Sequence, residues 1–258
     1  MLKNNSPNKL QFIFFSFLLL LLFEGYYCKY SEQRINAKGS FCEKYLKNFW
    51  GESGFVETTQ VVFIFIALIL CIYQSINLKK IVEKFILYTI CICLFYYLGE
   101  EISWGQHYLK FETPQFFKNV NNQKEFNFHN ISNLFDQVPR SFVFVICGFS
   151  FFYVLIHKKL FKKELKYSYL ILPNNNLSYI SIILLIVSFP DFINDKFNLK
   201  LYDYFTNIWG THLGNKIYEL STLNYIRLSE LQELIFAFYF LNYMIALKYF
   251  YSVTRKIN

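Results

Sequence analysis

The sequence predicts an all-α protein: a polytopic integral membrane bundle of five to six transmembrane helices with an extracytoplasmic cap made of loops. Three observations carry this expectation. Aromatic residues make up 22% of the 258 residues and charged residues only 17%, a balance that fits a membrane domain better than a soluble one. The apolar residues gather in six runs, at about 10–27, 55–77, 81–99, 141–157, 177–190 and 231–251. Lys and Arg collect in short segments beside those runs.

In hydrocarbon the backbone must satisfy its own hydrogen bonds, so each run is read as a helix. Several are shorter than the roughly 20 residues a perpendicular span needs, and flanking aromatic and Lys residues extend them into the interface. Lys3 and Lys9 precede the first run. No small-x-small cleavage site follows it cleanly, so it is read as a retained span and not a signal peptide. A polar segment, 28–54, leads to the second run, which carries Glu57 near its start. Lys79, Lys80 and Lys84 fill the short connection to the third run, which closes at Glu100-Glu101. The long polar stretch 99–140 contains Pro114 and Pro139 as breakers. The fourth run is followed by Lys158, Lys159, Lys162, Lys163 and Lys166, and the fifth is closed by Pro190-Asp191. In the loop 191–230 the segment FNLKLYDYFTNIW alternates loosely at helical spacing and reads as an interfacial helix. Arg255 and Lys256 follow the last run. The whole chain, 1–258, reads as a single membrane domain.

The formal charge of +8 is explained by the positive-inside rule, and no nucleic-acid motif accompanies it. The basic segments place the N- and C-termini in the cytoplasm and the loops 28–54, 99–140 and 191–230 outside, as expected of a bacterial cytoplasmic membrane protein. Cys71, Cys91, Cys93 and Cys147 fall inside apolar runs and read as packing residues. Cys28 and Cys42 share one loop, where an oxidising compartment would allow a disulfide.

On this topology most acids near span ends fall at the outer face. Glu57, Glu100, Glu101, Glu230 and Glu233 are there, as are His107 and His129. Glu100, Trp104 and His107 are spaced i, i+4, i+7 and share a face if the third helix continues; Glu230 and Glu233 likewise share one. A carboxylate near a membrane span is a functional candidate by default. The candidate catalytic residues are therefore Glu100, Glu101, His107 and His129. Glu57, Trp104, Gln106, Asn127, Asn130, Glu230 and Glu233 are candidates for substrate binding. Carboxylates and imidazoles are ligands for a divalent metal, which would activate water, but no HExxH or HxxxH spacing is present. The same groups could do acid-base work without metal.

The run GEEISWGQHYLKFETPQFFKNVNNQKEFNFHN, residues 99–130, resembles a signature of bacterial multi-pass membrane proteins of unassigned function. That signature reads GEEISWGQR, then an ETPE-like turn, then N-x-Q-x-E-x-N-x-HN; here His107 stands where the Arg is usual. The resemblance implies a membrane location and no particular activity. A weaker likeness is to glutamic intramembrane proteases, whose EExxxR motif Glu100-Glu101 would open, with Gly105 standing in place of the Arg. Two functional classes follow. One is a membrane-embedded hydrolase or transferase acting on a lipid-type substrate, with glutamic-type proteolysis as a minor variant. The other is a non-enzymatic binding or assembly subunit, or a small transporter, with a structural polar cluster.

Overall fold

Every one of the six apolar runs lies in a helix. The structure, a computed structural model, describes residues 9–35, 48–50, 54–121, 124–128, 131–160, 168–171, 176–197, 207 and 228–257. Its elements are α1 (Lys9–Ile35), α2 (Phe55–Asn77), α3 (Ile81–Glu101), a 3-10 turn (Ser103–Gly105), α4 (Gln106–Leu109), α5 (Gln115–Val120), α6 (Asn133–Leu160), α7 (Ser168–Ile171), α8 (Leu177–Phe197) and α9 (Leu228–Ile257). Among the described residues there is no strand. By length and composition α2, α3 and α9 can cross a membrane; the described apolar stretches Lys9–Phe23, Ser141–Tyr153 and Leu177–Ser188 are shorter. The 21 residues of α3 extend about 31 Å at a rise of about 1.5 Å per residue, the thickness of a hydrocarbon layer.

Three boundaries differ from the sequence expectation. α1 continues to Ile35, well past the end of its apolar run, because extending a nucleated helix costs far less than starting one. α6 begins at Asn133 and contains Pro139; this proline does not delimit the polar stretch. α8 passes through Pro190 to Phe197. A proline removes one ladder bond, a loss the remaining turns of a long helix can absorb. The expected pairing of Cys28 with Cys42 and the interfacial segment before Trp209 lie outside the described residues or side chains.

The chain divides into two compact units. The first comprises Met1–Asn5, Thr59–Ser181 and Phe236–Asn258, and the second Ser6–Thr58 and Ile182–Ile235. In the first unit α9 is the hub. Its Ala237, Phe238, Tyr239, Asn242, Tyr243 and Met244 are all buried, so this stretch is enclosed nearly all round, as a core helix must be. α2 meets it through the rings of Phe63 and Phe238, 5.6 Å apart, and through Gln74 Nε2, which donates to the Met244 carbonyl at 3.0 Å. α6 meets it where the hydroxyls of Ser150 and Tyr239 lie 3.0 Å apart. α7 stacks Tyr169 on Phe250 at 4.5 Å and receives the Tyr243 hydroxyl on the Leu170 carbonyl. The link Leu78–Lys80 is too short for anything but neighbouring antiparallel helices, and Cys71 of α2 accordingly reaches the Leu87 carbonyl of α3 at 3.3 Å.

α3 shows its role in its exposure pattern. Glu83, Leu87 and Leu94 are buried, at spacings of four and seven that define one face. Phe85 and Ile92, on the other side, are 72% and 69% exposed. Glu83 is held by the Tyr169 hydroxyl and by Lys80 at 3.1 Å. In the second unit Phe55 meets Phe17 at 5.8 Å and Phe49 at 5.5 Å, beside the buried Trp50 and Val56.

The two faces of α3 predict opposite mutational costs. Leu87→Ala leaves a cavity in the first unit and is expected to cost about 2–5 kcal/mol. Phe85→Ala changes a mostly exposed side chain and is expected to stay within about 1 kcal/mol. Denaturant unfolding of the detergent-solubilised chain measures both.

Candidate functional site

The candidate site starts with an abrupt end to α3. The Ile102 amide still reaches the Leu98 carbonyl at 3.2 Å, and then three successive residues turn left-handed: Ser103 at φ 46°, Trp104 at φ 51° and Gly105 at φ 89°. Only glycine takes this region freely; each L-residue there carries a cost of about 1 kcal/mol or more. What holds Trp104 is visible. Its indole Nε1 donates to Glu100 Oε1 at 2.7 Å, and its ring lies near Phe95 and Tyr96, at centroid distances of 5.9 and 6.1 Å. The ring also covers Gly99, where a Cβ would come within 2.9 Å of two ring carbons. Glycine is required at 99 for that approach.

The residues that follow are knitted back onto this end. Gln106 bridges: its Nε2 donates to Thr113 Oγ1 at 2.6 Å and its Oε1 accepts the Phe126 amide at 2.7 Å. Thr113 Oγ1 in turn donates to the Lys124 carbonyl at 2.7 Å. Asn121 Nδ2 donates to both the side-chain oxygen and the carbonyl of Asn127, at 2.7 and 2.9 Å. Asn127 Nδ2 donates to Glu125 Oε2 at 2.9 Å and to Ser103 Oγ at 3.2 Å. The Ser103 hydroxyl donates to the same Glu125 oxygen at 2.9 Å. Finally the Phe128 amide donates to Glu100 Oε2 at 2.7 Å. Beneath this network Phe117, 8% exposed, packs edge-on against Phe126 and Phe128 at 4.7 and 5.4 Å.

Of the residues expected at the site, the structure brings Glu100, Trp104, Gln106 and Asn127 into this one knot. Glu101, half-buried, is the last residue of α3. His107 lies in α4, and its side chain is outside what the structure describes, as are His129 and Asn130. The helical face expected for Glu100, Trp104 and His107 does not form, because α3 stops at Glu101; a turn, not a helix, delivers Trp104 to Glu100. Glu57, Glu230 and Glu233 belong to the second unit. Glu57 and Glu230 occupy first helical turns, where a carboxylate faces the positive end of the macrodipole. Sequence reasoning on charge and spacing missed Thr113 and Asn121, and it gave Ser103 and Glu125, which lie in the two polar stretches, no role in the knot. The available signal was the resemblance itself, since all four fall inside the stretch that carries it.

The chemistry of the knot follows from its partners. Each oxygen of the buried Glu100 carboxylate accepts an N–H. Glu125 receives an amide and a hydroxyl on one oxygen. Ser103 beside Glu125 has the pairing of a nucleophile and its base, yet Ser103 is 1% exposed, so no substrate reaches its oxygen in this conformation. Among the described residues no group of three or more His, Cys, Asp or Glu side chains is placed to hold a metal ion. Comparison with protein-family models, curated proteins and solved structures finds no match to the chain.

The contact at Gly99 gives a sharp prediction. Gly99→Ala is expected to push the indole off the helix end, breaking the Trp104–Glu100 bond at a cost of about 1–3 kcal/mol. The change should appear as a shift in tryptophan emission that the double variant with Trp104→Phe does not show.

Proposed function

We propose that the protein is a multi-pass membrane protein of five to six spans with both termini cytoplasmic, in which residues 99–128 form a rigid extracytoplasmic fixture that serves binding or assembly and not catalysis. One observation carries this reading: Glu100 and Glu125, the carboxylates of the knot, are held by donors from the same short segment. A catalytic carboxylate or metal ligand needs an accessible lone pair and a partner aimed at substrate. Among the described residues these donors are a fixed indole, a backbone amide, a buried hydroxyl and a buried amide, and each of the four ties chain to chain. The three helices long and apolar enough to cross a membrane and the basic short connections support the membrane assignment.

A second reading keeps one specific observation. The Phe128 amide bonded to Glu100 Oε2 at 2.7 Å brings the chain just before His129 to a carboxylate. On that reading Glu100 and His129 serve a hydrolase or transferase acting on a lipid-type substrate at the outer leaflet.

Two substitutions in the purified full chain separate the readings. Glu100→Gln places an NH2 donor against two existing donors. The fixture reading expects faster trypsin cleavage at Lys110, Lys118 and Lys124, with His129→Ala leaving protection unchanged. A stoichiometric divalent metal in the wild type that His129→Ala loses would overturn the fixture reading. So would turnover of a lipid-type substrate that both variants abolish while the segment stays protected.

A further inference from the structure

The segment that carries the knot buries several polar side chains and exposes several large apolar ones. Its polar side chains Thr113, Asn121 and Asn127 are buried, while Tyr108, Leu109 and Phe116 are 67%, 76% and 64% exposed. A loop that projects into water has the opposite arrangement, and a cluster of large exposed apolar side chains marks a surface that something covers. We infer that the outward apolar side chains of residues 108–120 are seated in the lipid leaflet into which α3 runs, so that this segment lies in the membrane interface. The inference rests on the membrane assignment proposed above and names the surface the fixture occupies.

Continuity selects lipid as the occupant. The exposed side of α3, with Phe85 and Ile92, is apolar to its end, and its last large member, the 57%-exposed Phe95, touches the Trp104 ring. Exposed large apolar side chains therefore run along the span as far as Phe95 and resume at Tyr108 and Leu109. The segment starts seven residues after the last residue of α3, so its depth is tied to the end of that helix. Its exposed charges have the composition of an interface: Lys110 and Lys118 are exposed beside Tyr and Phe, and long Lys stems reach the head groups while rings sit at the boundary. The one exposed acid of the segment, Glu112, is paired with Lys118 at 3.5 Å. The hydrogen-bonded interior suits that position, because backbone groups near hydrocarbon need internal partners.

The test uses the full chain in vesicles of phosphatidylcholine and phosphatidylglycerol doped with a lipid bearing a diazirine near the glycerol end of its acyl chain. After photolysis, lipid adducts are mapped to peptides. Adducts are expected on the outer half of α3 and on residues 108–120, with Leu109→Lys plus Phe116→Lys lowering the second set several-fold and leaving the first set and the helical circular dichroism unchanged. Adducts on α3 alone overturn the inference and leave the membrane assignment standing. An absence of adducts from both overturns the two together. Labelling of 108–120 that the double variant does not lower overturns the inference, as do cross-links joining this segment in two chains in place of lipid adducts.

Discussion

The carboxylate of Glu100 is the clasp on which the first unit's candidate site depends. One oxygen takes the indole N–H of Trp104 and the other the amide of Phe128. A buried carboxylate without partners costs several kcal/mol, and each charge-assisted bond returns about 1.5–3 kcal/mol net. Closing a loop of this length costs about 3 kcal/mol from the length-dependent part of chain entropy. Of the two, only the Phe128 bond spans this loop; the Trp104 bond is local, four residues apart, so the spanning bond at best offsets closure. Order in the loop therefore has to come from the smaller contacts, above all the bridging Gln106 and the Ser103–Glu125–Asn127 triangle.

The clasp also explains a turn that would otherwise be costly. Ser103 and Trp104 both sit at positive φ, which ends α3 sharply and doubles the chain back. The alternative, a helix that continued past Glu101, would carry Trp104 along the same face as Glu100 and leave the distant amide of Phe128 without its acceptor. Gly99 permits the close approach of the indole and Gly105 takes the third left-handed position. The Gly99–Gln106 stretch is thus a helix stop whose parts have interlocking steric and hydrogen-bonding reasons.

How much of this was readable from the sequence depends on the kind of signal. The helices were legible because burial of apolar runs in an apolar surrounding is written in composition, and all six runs are helical. Their ends were less legible. Pro139 and Pro190 look like stops in a sequence, but a long helix can give up one bond at each, and Ile35 closes a helix whose apolar run ended well before. The sequence reading expects Glu100, Glu101, His107 and His129 to share one outer-face site, and the side chains of both imidazoles lie outside the described residues. What the described residues bring together is acids with amides, hydroxyls and an indole. Charge and spacing point to Glu and His because those residues are rare in apolar chains; they give no weight to Thr113 or Asn121, which look like ordinary loop residues. Their work is to satisfy backbone groups, and which backbone group needs a partner is set by a three-dimensional path that spacing does not encode.

That backbone work links the knot to its surroundings. The carbonyls of Phe111, Lys124 and Asn127 and the amides of Glu125, Phe126 and Phe128 are all met by side chains of the segment. In a water-exposed loop such groups have solvent as a ready partner, and a dense internal network adds little. At the edge of a hydrocarbon layer water is scarce, each unmet group costs more, and side chains that replace it become the condition for an irregular backbone to exist there at all. On the interfacial placement proposed above, the same constraint sends Tyr108, Leu109 and Phe116 outward. With that placement, the buried Thr113, Asn121 and Asn127 and the exposed Tyr108, Leu109 and Phe116 are two consequences of one environment, and the side chains of the knot act as the internal solvent of a loop at a membrane boundary.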